Sequence, residues 1–104
     1  MDVRVMHSKA GVAANLLKQL SNPNRLMVLC ELAQGERSVG ELEAVVGLSQ
    51  SALSQHLAKL RAAKLVGTRR ESQTIYYSLA DAGVTKVIGA LYDLYCRPAR
   101  RREA

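Results

Sequence analysis

Two groups of side chains in this sequence have chemistry to offer: a run of neutral hydrogen-bonding residues, Gln50, Ser51, Ser54 and Gln55, and a pair of thiols, Cys30 and Cys96. Serine and glutamine both donate and accept, and a glutamine amide can bond adenine through two atoms at once, so a polar cluster of this kind can read base edges. Positive charge follows directly, at Lys59, Arg61, Lys64, Arg69 and Arg70. Those side chains suit phosphates, which contribute affinity without sequence choice. The thiols suit exchange chemistry, in which a thiolate attacks a sulfur atom. From position alone Cys30 reads equally as a small buried hydrophobe, and Cys96 as a bystander near the terminus. An enzyme is disfavoured, because the sequence holds no Cys-x-x-Cys and assembles no carboxylate pair or nucleophile triad. Two histidines, His7 and His56, together with the thiols would be the raw material for zinc, but His56 lies within the polar cluster and no metal or other cofactor is expected.

The charge pattern narrows the partner. A net charge of +6 over 104 residues points to an anionic surface. The charge is localised: Ser49 to Leu79 holds five basic residues against Glu71 alone, whereas Glu31 to Glu43 holds four acids against Arg37 alone. No apolar run approaches the roughly 18 residues of a membrane span, and the start, "MDVRVMHSKAG", lacks the apolar stretch of a secretory signal. The expectation is a cytoplasmic protein without membrane association, in which two cysteines are not a permanent staple. A hydrophobic content of 48% suits one small domain, residues 1–104, with flexible ends at about 1–7 and 98–104.

The elements that must hold these residues are legible from period and punctuation. Val12, Ala13, Leu16, Leu17 and Leu20 give a first helix over Lys9 to Leu20. Asn22 caps a second helix with Pro23 in its first turn, its apolar stripe at Leu26, Leu29, Cys30 and Ala33, and Gly35 stops it. "SVGE" at Ser38 to Glu41 is a capping box that opens a short third helix ending near Gly47. Ser49 caps a fourth that runs to about Ala63. The period then becomes two: Val66, Thr68 and Arg70, then Ile75, Tyr77 and Leu79, predict two strands joined at "ESQ". A last helix from Asp81 carries Val84, Val87, Ile88, Leu91, Tyr92 and Tyr95 on a face wider than a small domain needs, which suggests a dimer interface.

The fold class that follows is mainly α with a small β-hairpin, in the order four helices, two strands, one helix. Leu53, Leu57 and Leu60 pin one side of the fourth helix to the core, so Ser51, Gln55 and Lys59 face outward with Gln50 and Ser54 on a flank. Two helices in a tight turn, the second polar-faced, followed by a basic hairpin, make a winged helix-turn-helix that binds double-stranded DNA. His56 falls nearer the leucines and reads as a packed or locally bonded histidine. A non-specific architectural DNA protein would use the same charge without base discrimination. Arg97, Arg100, Arg101 and Arg102 form a second basic cluster, most simply a solvated tail.

"LSNPNRLMVLCEL", "SVGELEAVVGLSQSALSQHLAKLRAAKLV" and "RRESQTIYYSL" together resemble the ArsR family of winged-helix repressors over nearly the whole chain. The resemblance implies a homodimer built through the first and last helices, a recognition helix starting near Ser49, a wing between the strands, and an inducer that releases operator DNA. Metal sensing is common in that family, but one site type uses a Cys-x-Cys where this chain has "SVGELE", and another uses Asp and His on the last helix, where Asp81 to Cys96 holds no histidine. A metal-responsive repressor with a non-standard site is therefore the alternative. The placement of Cys30 and Cys96 resembles the persulfide- and redox-responsive group of BigR, SqrR and HlyU type. That likeness implies that a disulfide or polysulfide between the two, formed by reactive sulfur species or oxidant, weakens DNA binding.

Overall fold

The computed structural model describes residues 1–97. Five helices and three strands follow one another as α1 (Val3–Leu20), α2 (Pro23–Ala33), β1 (Arg37–Ser38), α3 (Val39–Val46), α4 (Gln50–Ala62), β2 (Val66–Glu71), β3 (Thr74–Leu79) and α5 (Ala82–Tyr95). The caps explain most boundaries. Asn22 Oδ1 accepts from the amides of Asn24 and Arg25 at 2.9 and 3.1 Å, and Pro23 fills a position whose amide would have no partner. The capping box closes as expected, with Ser38 Oγ accepting from the Glu41 amide at 3.1 Å and the Glu41 carboxylate accepting from the Ser38 amide at 2.8 Å. Gly47 ends α3 in the left-handed region at φ 78°, which lets the chain turn into Ser49, whose hydroxyl accepts from the Ala52 amide at 3.1 Å.

Four expectations need correction. Helix α1 begins at Val3, not Lys9, because Asp2 caps it and accepts from the Arg4 amide at 2.9 Å; the stretch 1–7 is therefore mostly helical. The sheet has three strands in the order β1-β3-β2, with Arg37 opposite Tyr77 and Ser38 opposite Tyr76. A two-residue strand has no period to detect. The stripe on α2 is rotated: Val28, Leu29 and Leu32 are buried, while Leu26, Cys30 and Ala33 are half-buried on the flank toward α5. The hairpin is joined by Ser72 and Gln73 alone, with Ser72 at φ 57°, a conformation that glycine or asparagine usually supplies. The expected loose end at 98–104, with its arginines, lies outside the described residues.

Leu29, Leu42, Leu53, Leu57, Leu60 and Val84 meet in one core drawn from every helix but α1, which adds Leu20 at its end. Arg25 is buried with them, and its guanidinium donates to the carbonyls of Gln19 and Lys18 at 3.0 and 3.2 Å. The Gln19 carbonyl, whose helical partner four residues on is Pro23, gains a donor this way, and the Lys18 carbonyl, which also accepts from the amide and hydroxyl of Ser21, gains a further one. One arginine thus fastens α1 to α2.

Candidate nucleic-acid interface and thiol site

Leu53, Leu57 and Leu60 are at most 2% exposed, which fixes the rotation of α4. Gln50, Ser51, Ser54, Gln55 and Lys59 are all exposed as a consequence. The expected polar face therefore exists and looks outward. Arg61 and Lys64 continue it as exposed positive charge. His56 is half-buried beside that face, and its Nδ1 is buried with no hydrogen-bond partner among the described residues.

The environment of His56 makes a prediction about stability. Burial first, then the charges of Arg25 and Lys59, hold its imidazole below the usual histidine range. The unfolded chain consequently binds that proton more readily than the folded one. The contribution is complete above about pH 6.5 and is lost as pH falls from there through the folded value. His56→Gln is expected to flatten this limb in denaturant titrations taken from about pH 7 to about pH 5, with the wild type losing stability over the same range.

The wing separates two arginines that adjoin in sequence. Val66, Thr68 and Arg70 face one side of the hairpin, opposite Leu79, Tyr77 and Ile75, and the inner members of both rows pack on the core. Arg69 lies on the other side, opposite Tyr76. Its guanidinium donates to both oxygens of Glu36 at 2.8 Å each and to Glu71 at 2.7 Å, and stands 4.6 Å from the Tyr76 ring centre. Both Arg69 and Arg70 are exposed, but they do not share a face. Glu36 and Tyr76 carried no signal in the sequence; their role depends on the pairing of strands.

The thiols come together. Cys30 on α2 and Cys96 at the end of α5 line one apolar cavity of about 200 Å³, walled by Leu26, Ile88, Leu91 and Tyr95. Both are free, Cys30 half-buried and Cys96 exposed. Burial pushes the Cys30 thiol up, and the neighbouring Cys96 and the Glu31 carboxylate add to it. Arg97, next to Cys96 in the chain, is paired with Asp93 one turn back. Among the described residues no group of three or more His, Cys, Asp or Glu gathers in metal-binding range, and no helix is long and apolar enough to cross a membrane.

Residues 22–68, from the cap of α2 through the turn and α4 into the wing, match the model of bacterial regulatory proteins of the arsR family. The chain is 55% identical to the nodulation protein NolR of Rhizobium meliloti over 86% of its own length and 73% of that protein's. It belongs to the arsR family. Solved structures superpose closely on it: the transcriptional repressor BigR from Xylella fastidiosa at a TM-score of 0.90, with 45% identity over 94% of this chain and all of that one. The reduced form of HlyU from Vibrio cholerae gives 0.84, with 48% identity over 90% and 99% of the two chains. The fold is a winged helix-turn-helix, and the chain is a DNA-binding transcriptional regulator, not an enzyme.

Proposed function

We propose that the protein is a homodimeric repressor that holds operator DNA while its thiols are reduced and releases it when Cys30 and Cys96 are joined. The observation that carries this reading is the shared cavity: two thiols distant in sequence face one apolar space between α2 and α5. Exposed Cys96 is the first nucleophile and half-buried Cys30 the second. The Cys96 thiolate attacks a low-molecular-weight disulfide or persulfide and expels a thiolate. The Cys30 thiolate then attacks the Cys96 sulfur and expels the second leaving group, a thiolate or hydrosulfide. Two protein thiols are oxidised and one sulfur–sulfur bond of the donor is reduced. A chain of more than two sulfurs forms when the thiols collect sulfane sulfur before they join, and it tolerates a wider gap than the geometry of a direct disulfide.

Joining the pair ties α2, which seats the helix-turn-helix, to α5, which belongs to the dimer face. Exposed Val5, Val12 and Leu17 on α1 and Tyr92 and Tyr95 on α5 supply that face with apolar surface. In the dimer two copies of α4 stand about 34–36 Å apart and enter successive major grooves. Gln50, Ser51, Ser54 and Gln55 read bases there, and Lys59 and Arg70 meet phosphates. A differential affinity of about 1–3 kcal/mol between reduced and joined states suffices for regulation.

The test uses the duplex that the reduced protein enriches from a random pool. Wild type treated with a persulfide, a peroxide or an organic disulfide is expected to release it under at least one treatment. Intact mass then reports loss of two hydrogens, or one added sulfur for each further link. Cys30→Ser and Cys96→Ser are each expected to bind as reduced wild type does and to stay bound under all three. If both release DNA like wild type, the thiols are not the switch.

A further inference from the structure

Arg69 spans the sheet. It starts on β2, crosses the Tyr76 ring on β3 at 4.6 Å, and reaches Glu36, which immediately precedes β1. Tyr76 stands between Arg69 on one side and Ser38 on the other in the strand register. Ser38 is also the cap of α3, the first helix of the turn pair. The forked bond to Glu36 therefore joins the hairpin to the segment from which the helix-turn-helix begins. A guanidinium donating to two carboxylates has little capacity left for a phosphate, and the two acids hold its proton more firmly than usual.

We propose that Arg69 is a positioning residue, a strut that sets the wing against the start of the helix-turn-helix, and that Arg70 on the opposite face carries the wing's phosphate contact. This rests on the reading above that α4 and the wing meet DNA together. The register supports the division of labour. Arg70 shares its face with Ile75 beyond Thr68 and the core-packed Tyr77, near the tip, whereas Arg69 is turned toward Glu36 and Glu71 on the far side. The strut depends on fork geometry. Lysine keeps the charge but cannot bond a carboxylate through two parallel N–H groups or stack as a plane on tyrosine.

That difference separates a strut from a phosphate contact. Affinity for the enriched duplex is measured against salt for wild type, Arg69→Ala, Arg69→Lys and Arg70→Ala. Loss of one phosphate contact reduces the slope of log K against log salt by about 0.9. The strut predicts that Arg69→Ala and Arg69→Lys both lose several-fold in affinity with the wild-type slope, and that Arg70→Ala alone flattens it. If Arg69→Lys binds like wild type, or Arg69→Ala flattens the slope, Arg69 is a phosphate ligand and the proposal is wrong. Hydrogen exchange without DNA gives a second reading that does not depend on the DNA assignment. Arg69→Lys is expected to speed exchange of the Tyr76 and Tyr77 amides, Arg70→Ala to leave them as in wild type; equal protection in both overturns the strut. Should wild type bind no duplex at all, the DNA reading fails while the exchange result still judges the strut.

Discussion

Val12→Glu and Leu17→Glu variants are each expected to sediment as folded monomers and to lose affinity for the enriched duplex by about 10²- to 10⁴-fold. One chain carries one recognition helix, so a monomer reads one half-site. The dimer gains its affinity because the second helix binds from a position already held beside its groove. Val12 is 76% and Leu17 57% exposed on the single chain, on either flank of the stripe (Ala13, Leu16, Leu20) by which α1 seats on the body. A carboxylate at either position stays hydrated in the monomer and must lose its water in the dimer, where burying an unpaired charge is strongly unfavourable. Sedimentation, circular dichroism and DNA titration at matched salt distinguish loss of pairing from loss of fold. A dimer that persists in either variant would put the pairing surface elsewhere.

The features that sequence alone revealed are those set by neighbours along the chain. The capping box at Ser38 and Glu41 operates within one turn, and the leucines of α4 repeat at helical spacing, so both were readable and both are found. The outward face of α4 followed from those leucines by rotation alone. Features set by partners far along the chain were not readable. Glu36 and Arg69 are 33 positions apart, and nothing local marks an exposed glutamate as the anchor of a wing. Strand β1 exists because β3 offers an edge to Arg37 and Ser38, not because two residues declare a strand. On α2 the spacing of Leu26, Leu29, Cys30 and Ala33 was sound, but the helix packs on two sides. The core took Val28, Leu29 and Leu32, and the flank left to Cys30 became the wall of the thiol cavity. The meeting of Cys30 with Cys96 came from resemblance to a family, since no local rule joins the middle of one helix to the end of another.

The opposite sides of α4 are expected to fail in opposite ways. Leu57 is 2% exposed in the centre of the core, and Leu57→Ala is expected to cost about 2–5 kcal/mol, from lost burial and the cavity left behind. For a domain whose whole stability is about 5–15 kcal/mol, that shifts the thermal midpoint by roughly 10 °C or more, and DNA binding is lost at the lower temperature at which the fold now melts. Gln55, two residues earlier, is exposed, so Gln55→Ala is expected to change stability by less than about 0.5 kcal/mol. Its effect is expected in discrimination, where loss of a two-atom contact to a base costs about 1–3 kcal/mol against the enriched duplex. Binding to a scrambled duplex at the same salt stays as in wild type. Lys59→Ala provides the contrast: it is expected to weaken both duplexes alike and to reduce the salt slope by about 0.9. If Gln55→Ala keeps the wild-type ratio between enriched and scrambled duplexes, the bases are read by other side chains, and the polar face of α4 is a hydrated surface.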